Sequence, residues 1–187
     1  MVKWGMIAAF AVALWQSATM AATSASGSLS SQQLGPGSYE YSLTLQNTGT
    51  TPIKTFWFGW IVYQPFGYIY DLLPSAPTAV ISPSGWAGAA LNDSGFSPGK
   101  YGIEWTSATG LAAGASLSGF KFDSPDNPAT IGTSTGFAGY PIRESWVYQG
   151  ASQSDAGFEF TPAVVVPEPG AAILLPLGLL LRRRRGR

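Results

Sequence analysis

The sequence predicts an all-β chain folded as an antiparallel sandwich, and three observations carry the prediction. Residues 39–46 alternate between apolar and polar with the period of two that a half-buried strand requires. Residues 53–63 are apolar on both faces, which suits a strand buried from two sides. Elsewhere, short runs rich in aromatic and β-branched residues are separated by Gly, Pro and Ser clusters, with no sustained helical period.

Taken in order, Tyr39, Tyr41, Leu43 and Leu45 share one face of the first strand, and Glu40, Ser42, Thr44 and Gln46 share the other. Asn47-Thr48-Gly49-Thr50 reads as a turn, because Asn folds its side chain back on the local backbone and Gly tolerates the reversal. Ile53 to Tyr63 then follows as one central strand, and Gln64-Pro65-Phe66-Gly67 opens a long connection to Pro77. Further strands are expected at Thr78–Ile81, Trp86–Leu91, Tyr101–Thr106, Leu117–Phe122, Ser145–Tyr148 and Phe158–Val166. Phe120 and Phe122 share a face, and the segment Leu111 to Leu117 turns at Gly114. Asn92-Asp93-Ser94-Gly95 and Asp123-Ser124-Pro125-Asp126-Asn127 read as turns. About eight such strands describe a sandwich of immunoglobulin or fibronectin type; a jelly roll or small β-barrel leaves the same trace.

Charge is distributed unevenly. The formal net charge is zero, yet Arg182, Arg183, Arg184, Arg185 and Arg187 hold half of the ten basic residues. The stretch between the two ends carries four bases and nine acids, 4 − 9 = −5, so it repels phosphate backbones and nucleic acid is not an expected partner. The chain has no Cys and no His. Disulfides, thiolate nucleophiles, histidine-based triads and histidine zinc sites are therefore excluded, and neither a metal nor a cofactor is expected.

Both ends read as addresses. Lys3, the apolar run Met6–Trp15 and the small residues after Ser17 have the order of a secretory signal peptide, residues 1–21, with Thr19 and Ala21 before the cut by signal peptidase. The body follows over residues 22–161. Residues 162–187 contain Pro167-Glu168-Pro169, an apolar segment 170–181 expected to form a short helix, and the arginine cluster 182–187. Two prolines around Glu168 keep that triplet extended, and Arg182 to Arg185 resist translocation, which holds them on the cytoplasmic side. The apolar segment has twelve residues, about 18 Å of helix against a hydrocarbon core of about 30 Å, so transient membrane docking fits it better than a permanent span.

Val166-Pro167-Glu168-Pro169, the leucine-rich stretch and the arginines together resemble the PEP-CTERM sorting signal of bacterial exosortase substrates. The resemblance implies cleavage near Pro167-Glu168-Pro169 by exosortase, transient anchoring in the inner membrane, and delivery to the cell surface or an exopolysaccharide, biofilm-like matrix. The body is similar to domains of unknown activity in other such proteins, through Asn47-Thr48-Gly49, Phe56-Trp57-Phe58-Gly59-Trp60 and Gly119-Phe120-Lys121-Phe122. No activity comes with that likeness.

The function expected is thus non-enzymatic. Trp57 and Trp60, on a two-faced strand, read as core. Phe66, Tyr68, Tyr70 and Trp86 are the candidates for a platform on which exopolysaccharide rings could stack, which would make the body a carbohydrate-binding module. Glycoside cleavage would need two facing carboxyl groups; Glu104, Asp123, Asp126 and Glu144 are the candidates, and nothing in the sequence pairs them.

Overall fold

A computed structural model describes residues 21–64, 66–92 and 97–165. The signal segment before Ala21 and the sorting segment from Val166 onward, including Pro167, Glu168, Pro169 and Arg182 to Arg185, lie outside the described residues, as does most of the expected turn at 92–95.

The described chain is an all-β sandwich. In the first sheet, β1 (Ala25–Gly35) and β2 (Ser38–Asn47) form a long hairpin, and β2 pairs antiparallel with β9 (Ser116–Ser124). Short strands close its sides: β6 (Ala79–Ile81) on β9, and β12 (Ala163–Val164) running parallel to β1. In the second sheet β3 (Ile53–Phe58) is central, between β8 (Gly102–Leu111) and β10 (Ser145–Tyr148). The flanking strands are β7 (Ala87–Leu91) and β11 (Gly157–Phe160). Neither sheet closes on itself, so no barrel forms.

Alternation explains the core between the sheets. Tyr41, Leu43 and Leu45 of β2 meet Phe56 and Phe58 of β3, with Phe120 and Phe122 of β9 and Ile103 and Trp105 of β8 beside them. Phe56 lies parallel to Trp105 and edge-on to Phe120, both at 5.3 Å. Each such side chain, fully withdrawn from water, contributes about 1.5–3 kcal/mol. At Gly119 the register slips by one residue, and its φ of +98° accommodates the bulge. The slip lets Leu117 join Phe120 and Phe122 on the inner side, against strict alternation.

Several expectations are corrected. Residues 53–63 are not one strand: the chain breaks at Gly59, whose φ is +67°, and β4 (Trp60–Tyr63) leaves the sheet. The connection after Gln64 is largely a hairpin, with β5 (Tyr68–Asp71) paired to β4. The last expected strand, Phe158–Val166, is two strands: Pro162 follows β11, and the chain crosses to the other sheet as β12. The sheet therefore extends past Thr161, where the sequence reading ended the body. Strand β1 was not expected, since its Ser, Gln and Gly residues have little β propensity; Leu29 is its main inward anchor. A short helix, α1 (Pro128–Thr133), starts on the Asn127 cap with proline at its first turn and plugs Ile131 into the core.

Candidate functional site

The β4–β5 hairpin is a third layer over the outer face of the second sheet. Gly59 makes the corner: its N–H and that of Trp60 donate to the Glu144 carbonyl at 2.9 and 3.2 Å. Within the hairpin Trp60 faces Asp71, Ile61 faces Tyr70, Val62 faces Ile69 and Tyr63 faces Tyr68. Trp60 and Val62 point inward, where Trp60 stacks on Trp57 at 4.6 Å and meets Trp146 and Tyr148 edge-on. Trp57 and Trp60 are thus core, as the two-faced run implied. The Trp57 indole donates to Ser152, whose hydroxyl in turn donates to Glu104.

The opposite face of the hairpin carries Ile61, Tyr63, Tyr68 and Tyr70, and a loop from Thr135 to Pro141 lies against it. The Gly136 N–H donates to the Tyr140 carbonyl at 2.7 Å, closing the loop at its neck. Inside it Ala138 holds a φ of +52°, a left-handed conformation that costs a non-glycine residue on the order of 1 kcal/mol or more. The tight loop presents Phe137 and Tyr140 toward the hairpin. Phe137 stacks on Tyr70 at 3.6 Å and 9°, and meets Tyr63 edge-on at 5.3 Å. Tyr140 reaches Tyr63 from the other end of the loop, at 6.4 Å.

Tyr63 is the hub of this aromatic strip, because Phe66 at the hairpin turn lies over it at 6.1 Å. Phe66 and Tyr68 are nearly parallel, 15° apart with centroids at 5.7 Å. Phe66 is 63% exposed, Tyr68 43% and Phe137 39%.

Two hollows adjoin the strip. One, of about 330 Å³, is lined by Tyr70, Asp71, Ser97, Lys100 and Phe137 among others. The Asp71 N–H donates to the Ser97 hydroxyl oxygen at 2.8 Å on its wall. The other, of about 460 Å³, is lined by Ala138 to Pro141 with Glu144 and Glu159. Burial pushes the Glu144 carboxyl above its ordinary pKa, against the opposing influence of the Thr161 hydroxyl, the Ser145 N–H and Arg143. Thr161 donates to Glu144 Oε2 at 2.7 Å. Glu159 is also raised, by burial and then by the neighbouring Glu144, while the Trp146 indole opposes the shift. Trp146 stands directly across from Glu159 in the β10–β11 ladder, but neither its Nε1 nor Glu159 Oε1 makes a hydrogen bond of normal geometry.

The structure divides the residues singled out from the sequence. Phe66 and Tyr68 are brought together and exposed. Tyr70 shares their hairpin but is only 8% exposed beneath Phe137, so it supports the surface instead of forming it. Trp86 stands apart from that pair: it is partly buried and packs edge-on against Phe120 at the margin of the inter-sheet core. The four acidic candidates are not gathered into one cleft. Glu104 is bonded to Ser152, Asp123 lies on β9 opposite Glu40 and Ala79, Asp126 receives the N–H and hydroxyl of Ser75, and Glu144 lines a hollow with another carboxylate. That partner, Glu159, was not anticipated, nor were Tyr63, Phe137 and Tyr140. The Phe-Glu-Phe alternation at 158–160 marks Glu159 as facing away from two aromatics, the one local signal available.

Among the described residues no group of three or more acidic side chains is placed to hold a metal ion, and no helix is long and apolar enough to cross a membrane. No protein-family model and no curated protein matches the sequence. Among solved structures, the chain is similar to a GH20 exo-β-N-acetylglucosaminidase from Vibrio harveyi in complex with N-acetylglucosamine, with a TM-score of 0.45 and 12% identity. An inactive mutant of that enzyme aligns with a TM-score of 0.42 and 12% identity. Each alignment covers 79% of this chain and 19% of the enzyme, so the chain spans about a fifth of the enzyme's length.

Proposed function

We propose that this chain is an exported, non-enzymatic surface or matrix protein that an exosortase processes at Pro167-Glu168-Pro169. The observation that carries the reading is the order of the C-terminal segment, in which Val166-Pro167-Glu168-Pro169 is followed by the apolar run 170–181 and then by Arg182 to Arg185. Among the described residues the Val165 N–H donates to the Leu29 carbonyl at 2.8 Å, two residues before the Pro167-Glu168-Pro169 motif. Replacing Pro167, Glu168 and Pro169 by alanine should leave a full-length, membrane-associated form in the producing cells. Intact-mass measurement showing that mutant trimmed like the parent would end the proposal.

A second reading, that the body binds carbohydrate, is favoured by the exposed, nearly parallel rings of Phe66 and Tyr68. Aromatic faces receive the apolar CH faces of sugars. The Phe66→Ala/Tyr68→Ala variant should then bind a matrix polysaccharide more weakly without losing thermal stability.

A further inference from the structure

We infer that Pro167 and Pro169 are strand stops matched to the register of the β1–β12 pair: they deny the C-terminal segment the open edge of β1 and so keep the cleavage motif accessible to its processing enzyme. The inference rests on the sorting reading above for the enzyme, and on the edge of the first sheet for the mechanism.

That edge is open over most of its length. Strand β1 runs from Ala25 to Gly35, yet β12 lies beside it only at Ser28 and Leu29, paired with Ala163 and Val164. The Leu29 carbonyl faces the edge, since it accepts the Val165 N–H at 2.8 Å. Backbone groups alternate between the two sides of a strand, so the N–H and C=O of Ser31 and Gln33 face the same way, away from β2. Among the described residues no further strand pairs with them on that side. Such an edge is a template for any extended chain delivered to it. β12 delivers one already in register, and the tether makes further pairing intramolecular.

The register identifies what stops the pairing. In a parallel ladder every second residue turns its N–H and C=O toward the neighbouring strand. Val165 is such a residue, and the next two positions of that kind are 167 and 169. Both are proline, which has no N–H to donate. The carbonyls that would have received those donors belong to Ser31 and Gln33, continuing the step from Leu29. Position 168 falls in the alternate set, whose N–H groups turn away from β1 in such a ladder. The two prolines therefore occupy the positions at which a missing donor ends the ladder, and prolines at 166 and 168 would have left both donors in place.

Amide hydrogen exchange, read at Ser31 and Gln33, tests the stop. The samples are the full-length chain and its variants, made in a host without the processing enzyme and held in mild detergent. Pro167→Ala/Pro169→Ala should extend β12 and slow exchange at both amides about two- to tenfold, the protection that one added hydrogen bond confers. Glu168→Ala keeps both prolines and should exchange like the parent. Unchanged exchange in the double variant, or equal slowing in Glu168→Ala, overturns the inference. In the producing cells the double variant should stay untrimmed, and adding Ser31→Pro should restore trimming. That ring sits on the open edge and leaves the bonds to β2 in place. Ser31→Pro alone should be trimmed like the parent, the control for its folding. A triple variant that stays untrimmed while Ser31→Pro alone is trimmed overturns the inference, because the enzyme then reads the prolines directly. If the parent itself is untrimmed in those cells, the sorting reading fails, while the exchange result still decides the strand stop.

Discussion

The side-chain amide of Asn47 donates to the backbone carbonyl of Leu111 at 3.0 Å, although 64 residues separate them. Asn47 is fully buried, and the same Nδ2 also donates to the Thr51 carbonyl at 2.7 Å while Oδ1 accepts from the Gly49 N–H. Its backbone completes the knot: the N–H donates to Ala115 and the carbonyl accepts from Gly114. One residue thereby fastens the turn between β2 and β3 to the turn between β8 and β9. Both turns carry the chain from one sheet to the other, so this contact fixes how the sheets are stacked at that end.

Asn47→Ala should therefore destabilise the fold by about 2–4 kcal/mol, because the buried Leu111 carbonyl and the partly buried Thr51 carbonyl lose their donor and a cavity replaces the amide. Urea unfolding followed by tryptophan fluorescence measures this. A shift below about 0.5 kcal/mol would mean that water replaces the amide and that the knot is not structural.

Gly59→Ala should be as damaging, for a different reason. The position needs φ +67°, and a Cβ there would lie 2.6 Å from Leu73 Cγ. Strain of about 1–3 kcal/mol from the backbone adds to that clash. The hairpin should loosen before the sandwich does, so limited proteolysis should cut between Trp60 and Asp71 in the variant and spare the parent.

Acidity should stabilise the body. Glu144 and Glu159 both have raised pKa values in the folded state. The folded form then holds protons that the unfolded chain has already released, so stability is greatest below the ordinary carboxylate range and falls as pH rises through the raised values. Thermal melts should show the midpoint declining across that window, and Glu159→Gln should flatten the decline. A midpoint that rises with pH there would contradict the assignment.

Ending the chain at Thr161 instead of Val165 should weaken the first sheet. It removes β12 and the Val165 bond from the edge of β1, and leaves Arg143 without the Pro162 carbonyl to which its Nε donates at 3.0 Å. Hydrogen exchange should quicken at Leu29 and its β1 neighbours in the shorter chain. Equal protection in both chains would show that β12 is dispensable.

Much of the fold was legible locally. Tyr41, Leu43 and Leu45 announce their shared face by alternation, and Phe56-Trp57-Phe58 announces a strand covered on both sides. Strand β1 was illegible because pairing with β2, rather than its own side chains, makes it a strand. The break at Gly59 was hidden because an apolar run looks the same whether it continues straight or turns a corner.

The candidate site was less legible. Phe66 and Tyr68 stood out as aromatics beside a Pro-Gly turn, but Trp86 looked equivalent, and only its contact with Phe120 shows it partly buried at the margin of the core. Phe137 had no signal at all, since a lone Phe among Gly and Ala residues has no pattern to read.

The sequence by itself determined which residues could be strands, which faces would be apolar, and that no histidine or thiol chemistry is available, because these follow from side-chain type and the period of two. Only the tertiary structure decided that Phe137 lies on Tyr70 and that Glu144 shares a hollow with Glu159. Alternation tells which of two faces a side chain takes; what covers that face depends on turns, bulges and strand order, which act between segments far apart in the chain.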